Sequence, residues 1–320
     1  MTSAPTPTAA TVATTAVVQP SPRGRRRPPR GAPPERLRGA RWWRTLSWRY
    51  VVGVVACIYA VIPILYIVSA SLNPIGSVAS TDLIPSVVSF ANFEQLWSNP
   101  SRPFFRWALN TVIVASVVVV VQLIFSCFAA YAFSRFRFRG RRAGLLSLLL
   151  ILMFPQILVT VALFQMFSIV GEVLPAFGLD TLPGYILIML GGSLGQVYLI
   201  KGFFDTVPIE LDEAAKIDGA SHLQVFFRIL LPLLQSILVI SGLLVFVGVI
   251  GEFLLASIFL RSTDVKTIAV GMQGVLAADQ SNNLGWFAAG SVVIAVPIIL
   301  LFQYLQRYIV GGITSGAVKG

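Results

Sequence analysis

Residues able to do covalent chemistry are few. The chain has one histidine, His222, and two cysteines, Cys57 and Cys127, 70 positions apart and both inside apolar runs. That set cannot build a Cys/His zinc site, and it argues against a disulfide framework. A Ser–His hydrolase would have to use His222, which sits beside Ser221 in a polar loop. No GxxxxGK[ST] phosphate loop occurs, so the chain does not hold ATP in that way. What remains is a concentration of carboxylates. Asp205, Glu210, Asp212, Glu213 and Asp218 crowd residues 205–218 against one Lys216. A further acid, Glu252, stands in an apolar stretch behind Gly248 and Gly251. A bare carboxylate near mid-bilayer costs roughly 2.5–3.5 kcal/mol, so it should face a subunit interface, an aqueous cavity or the membrane surface.

The elements that must position these residues are apolar. Of 320 residues, 56% are hydrophobic and 12% charged, and the mean hydropathy is +0.81. A soluble domain carries about 25% charged residues, and a single soluble core could not hide this much apolar surface. The composition predicts a polytopic membrane protein. Residues 1–40 hold eight of the 19 prolines and no apolar period, which predicts a disordered, basic, Pro-rich tail. Trp42, Trp43, Trp48 and Tyr50, interleaved with Arg41, Arg44 and Arg49, read as an interfacial girdle. Six apolar stretches come next, at about 50–71, 110–133, 143–167, 184–204, 232–257 and 286–306, each near the ~20 residues that cross a bilayer. The run Val117 to Val121 has strand-like propensity, but its length and the absence of water in lipid favour helix. Pro155 should kink the third stretch. With six spans and the N-terminus inside, 20 of the 24 basic residues fall on the cytoplasmic side and four, Arg102, Arg106, Arg261 and Lys266, outside. Both termini are then expected in the cytoplasm.

The acidic loop between the fourth and fifth stretches breaks the basic pattern of that side, so it has another task. Pro208 marks a helix start, acids fill the first turns, Lys216 comes late and Gly219 reads as the C-cap. Ser221-His222-Leu223-Gln224 is a capping-box pattern that opens a second helix toward Pro232. Ala214 and Ala215 would leave a shallow face for a partner.

Glu213-Ala214-Ala215, three residues, Gly219, nine residues, Ile229, then Leu231-Pro232 resembles the EAA loop of ABC importer permeases, EAA-x3-G-x9-I-x-L-P, with every position filled. Phe203-Phe204-Asp205-Thr206-Val207-Pro208 and the end from Gly311 to Gly320 are similar to the carbohydrate branch, in particular the membrane subunit of maltose/maltodextrin permeases. Met272-Gln273 and Phe287-Ala288-Ala289 fit the same pattern; Leu83-Ile84-Pro85, Asn92-Phe93 and Asn110-Thr111 fit it less specifically. The resemblance implies an all-α polytopic membrane protein with six transmembrane helices, the MetI-like ABC importer permease fold, over 41–320, with the coupling-helix loop at 205–231. It implies a multi-pass subunit of the cytoplasmic membrane that does no covalent chemistry and carries a sugar.

The resemblance also implies roles for individual residues. Glu213, Ala214, Ala215, Asp218, Gly219, Ile229 and Pro232 are expected to couple the chain to an ATPase, and Lys319 and Gly320 to reach that ATPase from the C-terminal tail. Glu252 and Gln156 are candidates for the substrate path. Asp279, Gln280, Asn282 and Asn283, in an outer loop over 260–285, are candidates for contact with a binding protein. Expected partners are a second homologous permease, two ATP-binding cassette ATPases, an extracytoplasmic sugar-binding protein, membrane lipid and the sugar, with no nucleic acid. No cofactor is expected on this chain; ATP and Mg belong to the ATPase. A permease for peptides or amino acids, or an ion-coupled secondary transporter, stands as the alternative. The latter would want internal repeats and charged midplane segments, of which the chain offers only Glu252.

Overall fold

The structure is a computed structural model that describes Trp43, residues 47–74 and residues 87–317. The expected tail 1–40, the Leu83-Ile84-Pro85 segment and the tail residues Lys319 and Gly320 lie outside the described residues. Contacts divide the chain into residues 1–58 and 59–320. In the first unit, helix α1 (Trp48–Leu72) begins with Val51, Val52, Val54, Val55 and Ile58 all exposed. A helix apolar all round in this way is suited to lipid. The second unit contains the end of α1, where Ser69, Ala70 and Ser71 are buried.

The described part of the second unit is helical. After α2 (Ala91–Ser98) comes α3 (Phe104–Arg135), of 32 residues. Val117 to Val121 lie within it as helix, as expected. Its buried positions include Trp107, Thr111, Ala115, Val118, Gln122, Ser126 and Ala130, spaced by three or four. That stripe packs on α7 (Ser193–Phe204) and α10 (Gln235–Gly251). Lipid tails are as apolar as these side chains, so close packing and interhelical hydrogen bonds hold the stripe rather than exclusion of water. Gln122 Nε2 donates to Met189 O at 2.6 Å and Ser126 Oγ to Ser193 O at 2.9 Å. At the Phe104 end, Trp107 Nε1 donates to Thr263 O at 2.8 Å, and Asn110 Nδ2 donates to Asp264 O and Lys266 O.

Among the described residues, five helical runs are long and apolar enough to span a membrane, and six if the bent pair 222–233 and 235–251 counts as one span. The third and fifth stretches depart from expectation, and the fourth lies where it is expected. The third stretch is broken: α4 (Arg141–Met153) ends before Phe154 and Pro155, both extended, and α5 (Gln156–Val173) starts after them. Proline disfavours helix for the residue before it as well as removing a donor, so the expected kink becomes a full break. The fourth runs Leu182–Phe204 through α6 (Leu182–Met189), a tight 3₁₀ turn and α7. The fifth ends at Gly251, and α11 (Leu254–Phe259) comes after it. The outer loop 260–285 is not a plain loop. It holds α12 (Ile268–Ala278), in which Ile268, Val270, Gly271 and Met272 are buried. Eleven residues cannot span a bilayer, but they suffice for a helix packed on α3 and on α13 (Gln280–Ala317). Trp107 lies so close to Gly271 that a Cβ there would come within 2.1 Å of the indole.

Candidate functional site

The loop after α7 folds as the sequence predicts and adds a rigid foundation. Helix α8 (Glu210–Ile217) starts two residues after Pro208 and carries Glu210, Asp212 and Glu213 in its first turn and Lys216 in its last. That order suits the helix dipole. Asp218 is the C-cap, and Gly219 comes next at φ +82°. Gly219 N donates to Lys216 O at 3.0 Å and Ala220 N to Ala215 O at 2.9 Å. Those two bonds form a Schellman close, which needs a left-handed residue where glycine sits. Ser221 then caps the next turn: its Oγ accepts from Gln224 N, and Gln224 Oε1 accepts from Ser221 N at 2.8 Å.

Beyond the capping box, Val225–Leu230 winds as a π-helix and Leu231–Leu233 as a single α turn; we call 222–233 α9. Pro232 would drive its ring against the Arg228 carbonyl in a regular α-helix, and the wider π turn carries that carbonyl away. The axis bends by 77° between α9 and α10. The hydrolase reading finds no geometry here. The Ser221 hydroxyl serves the cap, and the His222 ring stands edge-on to Phe136 at 5.2 Å.

The loop is bolted to the ends of α3 and α7. Ala215, Val225, Phe226 and Leu230 are buried against Cys127, Ala130, Tyr131, Ile200 and Phe204. Phe226 stacks on Phe128 at 5.0 Å. Asp205 accepts from Ser134 Oγ and from Lys201 Nζ, each at 2.6 Å. Burial pushes the Asp205 carboxyl up, but the bonds from Lys201 and Ser134 and the charges of Lys201 and Arg141 outweigh it, leaving it below the usual carboxylate range. Arg135, the last residue of α3, places Nε 2.9 Å from Asp212 Oδ2 and donates from Nη2 to Val207 O at 2.9 Å.

The motif therefore divides into two faces. Glu213, Ala214, Asp218 and Gly219 are exposed, Pro232 is exposed and Ile229 is half-buried. Among the described residues the Glu213 carboxylate has no hydrogen bond or ion pair within the chain. Ala215 points inward, so the shallow outer face expected of two alanines is provided by Ala214 alone. The outer face is also more apolar than the acids suggested: Ile217 is 87% and Leu223 62% exposed. Arg135 and Asp212 escaped the sequence reading. Asp212 stands three residues before the buried Ala215 and so shares its helix face, which was the available signal.

The remaining candidates lie elsewhere. Glu252 is half-buried at the break after α10, where its Oε1 accepts from Leu255 N at 2.9 Å and caps α11. Gln156 is exposed at the start of α5. Asp279, Gln280 and Asn282 are exposed at the junction of α12 and α13, and Asp279 caps α13 through Asn282 N. Asn283 is buried, donating to Val275 O at 2.7 Å and accepting from Arg102 at 3.0 Å. Among the described residues no cluster of His, Cys, Asp or Glu could hold a metal ion.

The described residues thus hold apolar helical runs long enough to span a membrane, with one folded polar loop anchored to the ends of α3 and α7. Residues 122–315 match the family described as binding-protein-dependent transport system inner membrane component. The chain is 35% identical over 277 residues to the galactooligosaccharides transport system permease protein GanQ of Bacillus subtilis (strain 168), covering 86% of this chain and 96% of that one. It is 38% identical over 271 residues to the maltose/maltodextrin transport system permease protein MalG of Vibrio vulnificus (strain YJ016), covering 81% and 91%. Its fold is that of a crystallised bacterial ABC transporter involved in the import of the acidic polysaccharide alginate, with TM-score 0.69 and 24% identity over 85% of this chain and 99% of that one. The chain belongs to the binding-protein-dependent transport system inner membrane component family. It is a membrane-embedded permease subunit of the ABC importer class, in which hydrolysis of ATP falls to a separate subunit.

Proposed function

We propose that this permease carries a carbohydrate, an α-glucoside of the maltose/maltodextrin kind or a related oligosaccharide, and that its 205–231 loop docks on an ATP-binding cassette subunit in the cytoplasm. One observation carries the reading most directly: the exposed, unpartnered Glu213 beside the exposed Ala214 and Ile217, on a helix whose other face is anchored to α3 and α7. Such a helix is held still by its own chain and left open toward another. The likeness to sugar permeases of two specificities supports carbohydrate as the cargo.

In this reading the chain forms half of the pathway beside a homologous permease, two ATPase subunits bind ATP and Mg, and an extracytoplasmic protein delivers the sugar. Both termini lie in the cytoplasm, and Lys319 and Gly320 reach the ATPase. Asp279, Gln280 and Asn282 belong to the surface toward the binding protein, with Asn283 supporting them from beneath. Glu252, at a helix break, and Gln156, at the start of another, are the polar groups of this chain nearest to serving the path. Closure of the ATPase pair biases an equilibrium between two orientations of the permease, and the loop transmits that bias.

The test is uptake of labelled maltose, maltotriose, trehalose and a galactobiose by cells lacking the chain, complemented with wild type or with Glu213→Ala. The expected result is loss of uptake of one sugar, restored by wild type and not by Glu213→Ala at equal membrane abundance. Unchanged uptake of every sugar, in cells without a redundant system, would overturn the carbohydrate assignment.

A further inference from the structure

We propose that Arg135 is the positioning residue that makes the 205–231 loop move as one body with α3, through its buried pair with Asp212. The proposal rests on the docking role of the loop argued above. The Arg135 and Asp212 side chains are only 8% and 5% exposed, and the nitrogen–oxygen separation is 2.9 Å. Asp212 Oδ1 and Arg135 Nε are both buried with no hydrogen-bond partner among the described residues, so the two side chains meet as a close pair of opposite charges. Arg135 is thus the chief compensation for a carboxylate removed from water, and separating the two would strand a buried charge. The second arm of the guanidinium holds Val207 O, just ahead of Pro208 and α8. One side chain therefore grips the loop at two points, at its entry and in the first turn of its helix.

The placement of neighbouring acids gives this grip a direction. Asp212 and Glu213 are adjacent in sequence, and the first is buried in the chain while the second is exposed. A force delivered at the Glu213 face passes through a single helical turn to Asp212, and from there to the end of α3. With 32 residues, α3 is about 48 Å long. Its far end is fixed through Trp107 and Asn110 to Thr263, Asp264 and Lys266. A tilt imposed at Arg135 is therefore carried as a rigid rod to the opposite end of the bundle.

The experiment compares Arg135→Ala and the double variant R135M/D212L with wild type in the assembled transporter in proteoliposomes. It uses the sugar of the panel that wild type carries, and it reads sugar moved per ATP hydrolysed together with copurification of the subunits. The double variant replaces the pair by apolar side chains, a change that buried ion pairs commonly tolerate. The expected result is a complex that assembles and hydrolyses ATP but moves at least about tenfold less sugar per ATP, within the range of allosteric coupling. A simple folding defect would lower both activities together and leave their ratio unchanged. Wild-type sugar per ATP in R135M/D212L would overturn the proposal, and so would its failure to assemble, which would mark the pair as serving folding alone. A wild-type ratio in R135M/D212L with loss in Glu213→Ala would overturn the Arg135 role while leaving the docking reading intact. A wild-type ratio in Glu213→Ala would mean the docking reading itself had failed.

Discussion

The turn at Gly219 gives a prediction with a magnitude attached. Gly219 has φ +82°, and a Cβ placed on it meets nothing within 4 Å. Substitution there causes no clash, so its cost is confined to the left-handed backbone, about 1–2 kcal/mol for an ordinary L-residue. Asparagine tolerates this region better, and a β-branched residue tolerates it worst. The folded bundle survives a loss of that size, but the Schellman bonds from Gly219 N and Ala220 N weaken. Loop conformers that lack those bonds then gain about 5–30-fold over their wild-type population, and α8 no longer ends where a partner would meet it. Expected sugar uptake per ATP in proteoliposomes therefore falls in the order Gly, Asn, Ala, Val at position 219, with unchanged membrane abundance. Equal coupling in Gly219→Val and wild type would refute the reasoning, as would a Gly219→Asn variant as damaged as Gly219→Val. The second result would mean that the side chain, and not φ, decides the effect.

Two further predictions probe the opposite end of the bundle. Gly271→Ala would drive a methyl into the Trp107 indole at 2.1 Å, whereas Gly274, on the same helix, has open space; overpacking costs about 1–3 kcal/mol, so Gly271→Ala should lower the thermal midpoint of the purified protein and Gly274→Ala should not. Asp180, at φ +59°, accepts from Arg261 N at 2.7 Å, Ser262 N at 2.8 Å and the Ser262 hydroxyl. Burial raises its carboxyl, but those bonds and the Arg261 charge outweigh it and hold it below the usual range. A carboxyl depressed by folding stabilises fully above the unfolded aspartate value of about 3.9 and loses that contribution as pH falls through the lower folded value. Asp180→Asn should therefore flatten the acid limb of the midpoint-against-pH curve, and an unaltered limb would show that the junction of 180 with 261–262 does not titrate with folding.

Much of this was legible in the sequence, and particular residues show why. The spans declare themselves by length, because lipid permits few alternatives to a helix of about 20 apolar residues. The loop declares itself by punctuation: Pro208, Gly219 and the Ser221–Gln224 box are local signals, and each acts within four residues of where it stands. What escaped was non-local. Pro155 signals a disturbance of the helix, but kink and break share that signal, and only the structure shows Phe154 and Pro155 both extended. Helix α12 was hidden because eleven apolar residues are too few for a span, and its burial comes from Trp107, far away in the chain. The Arg135–Asp212 pair joins residues 77 positions apart, and each was readable alone only as a member of a basic loop or an acidic one.

The motif itself explains the asymmetry. In the proposed reading the 205–231 loop satisfies two demands with one short stretch: it folds against its own chain, and it offers a surface to another. Ala215, Leu230 and the cap residues answer the first, and in the reading proposed above the exposed Glu213, Ala214 and Ile217 answer the second. Gly219 answers both, because the left-handed turn that closes α8 also sets where its outer face stops. A pattern that meets a folding constraint and a docking constraint at once allows few residues at each position, and so it can be read in a single sequence. A sugar path is different. In the proposed reading it draws on polar groups at helix breaks, such as Glu252 after Gly251. Its residues need only the right position in space, with no fixed spacing along the chain, so Glu252 and Gln156 stand out in the sequence only as isolated polar residues in apolar stretches.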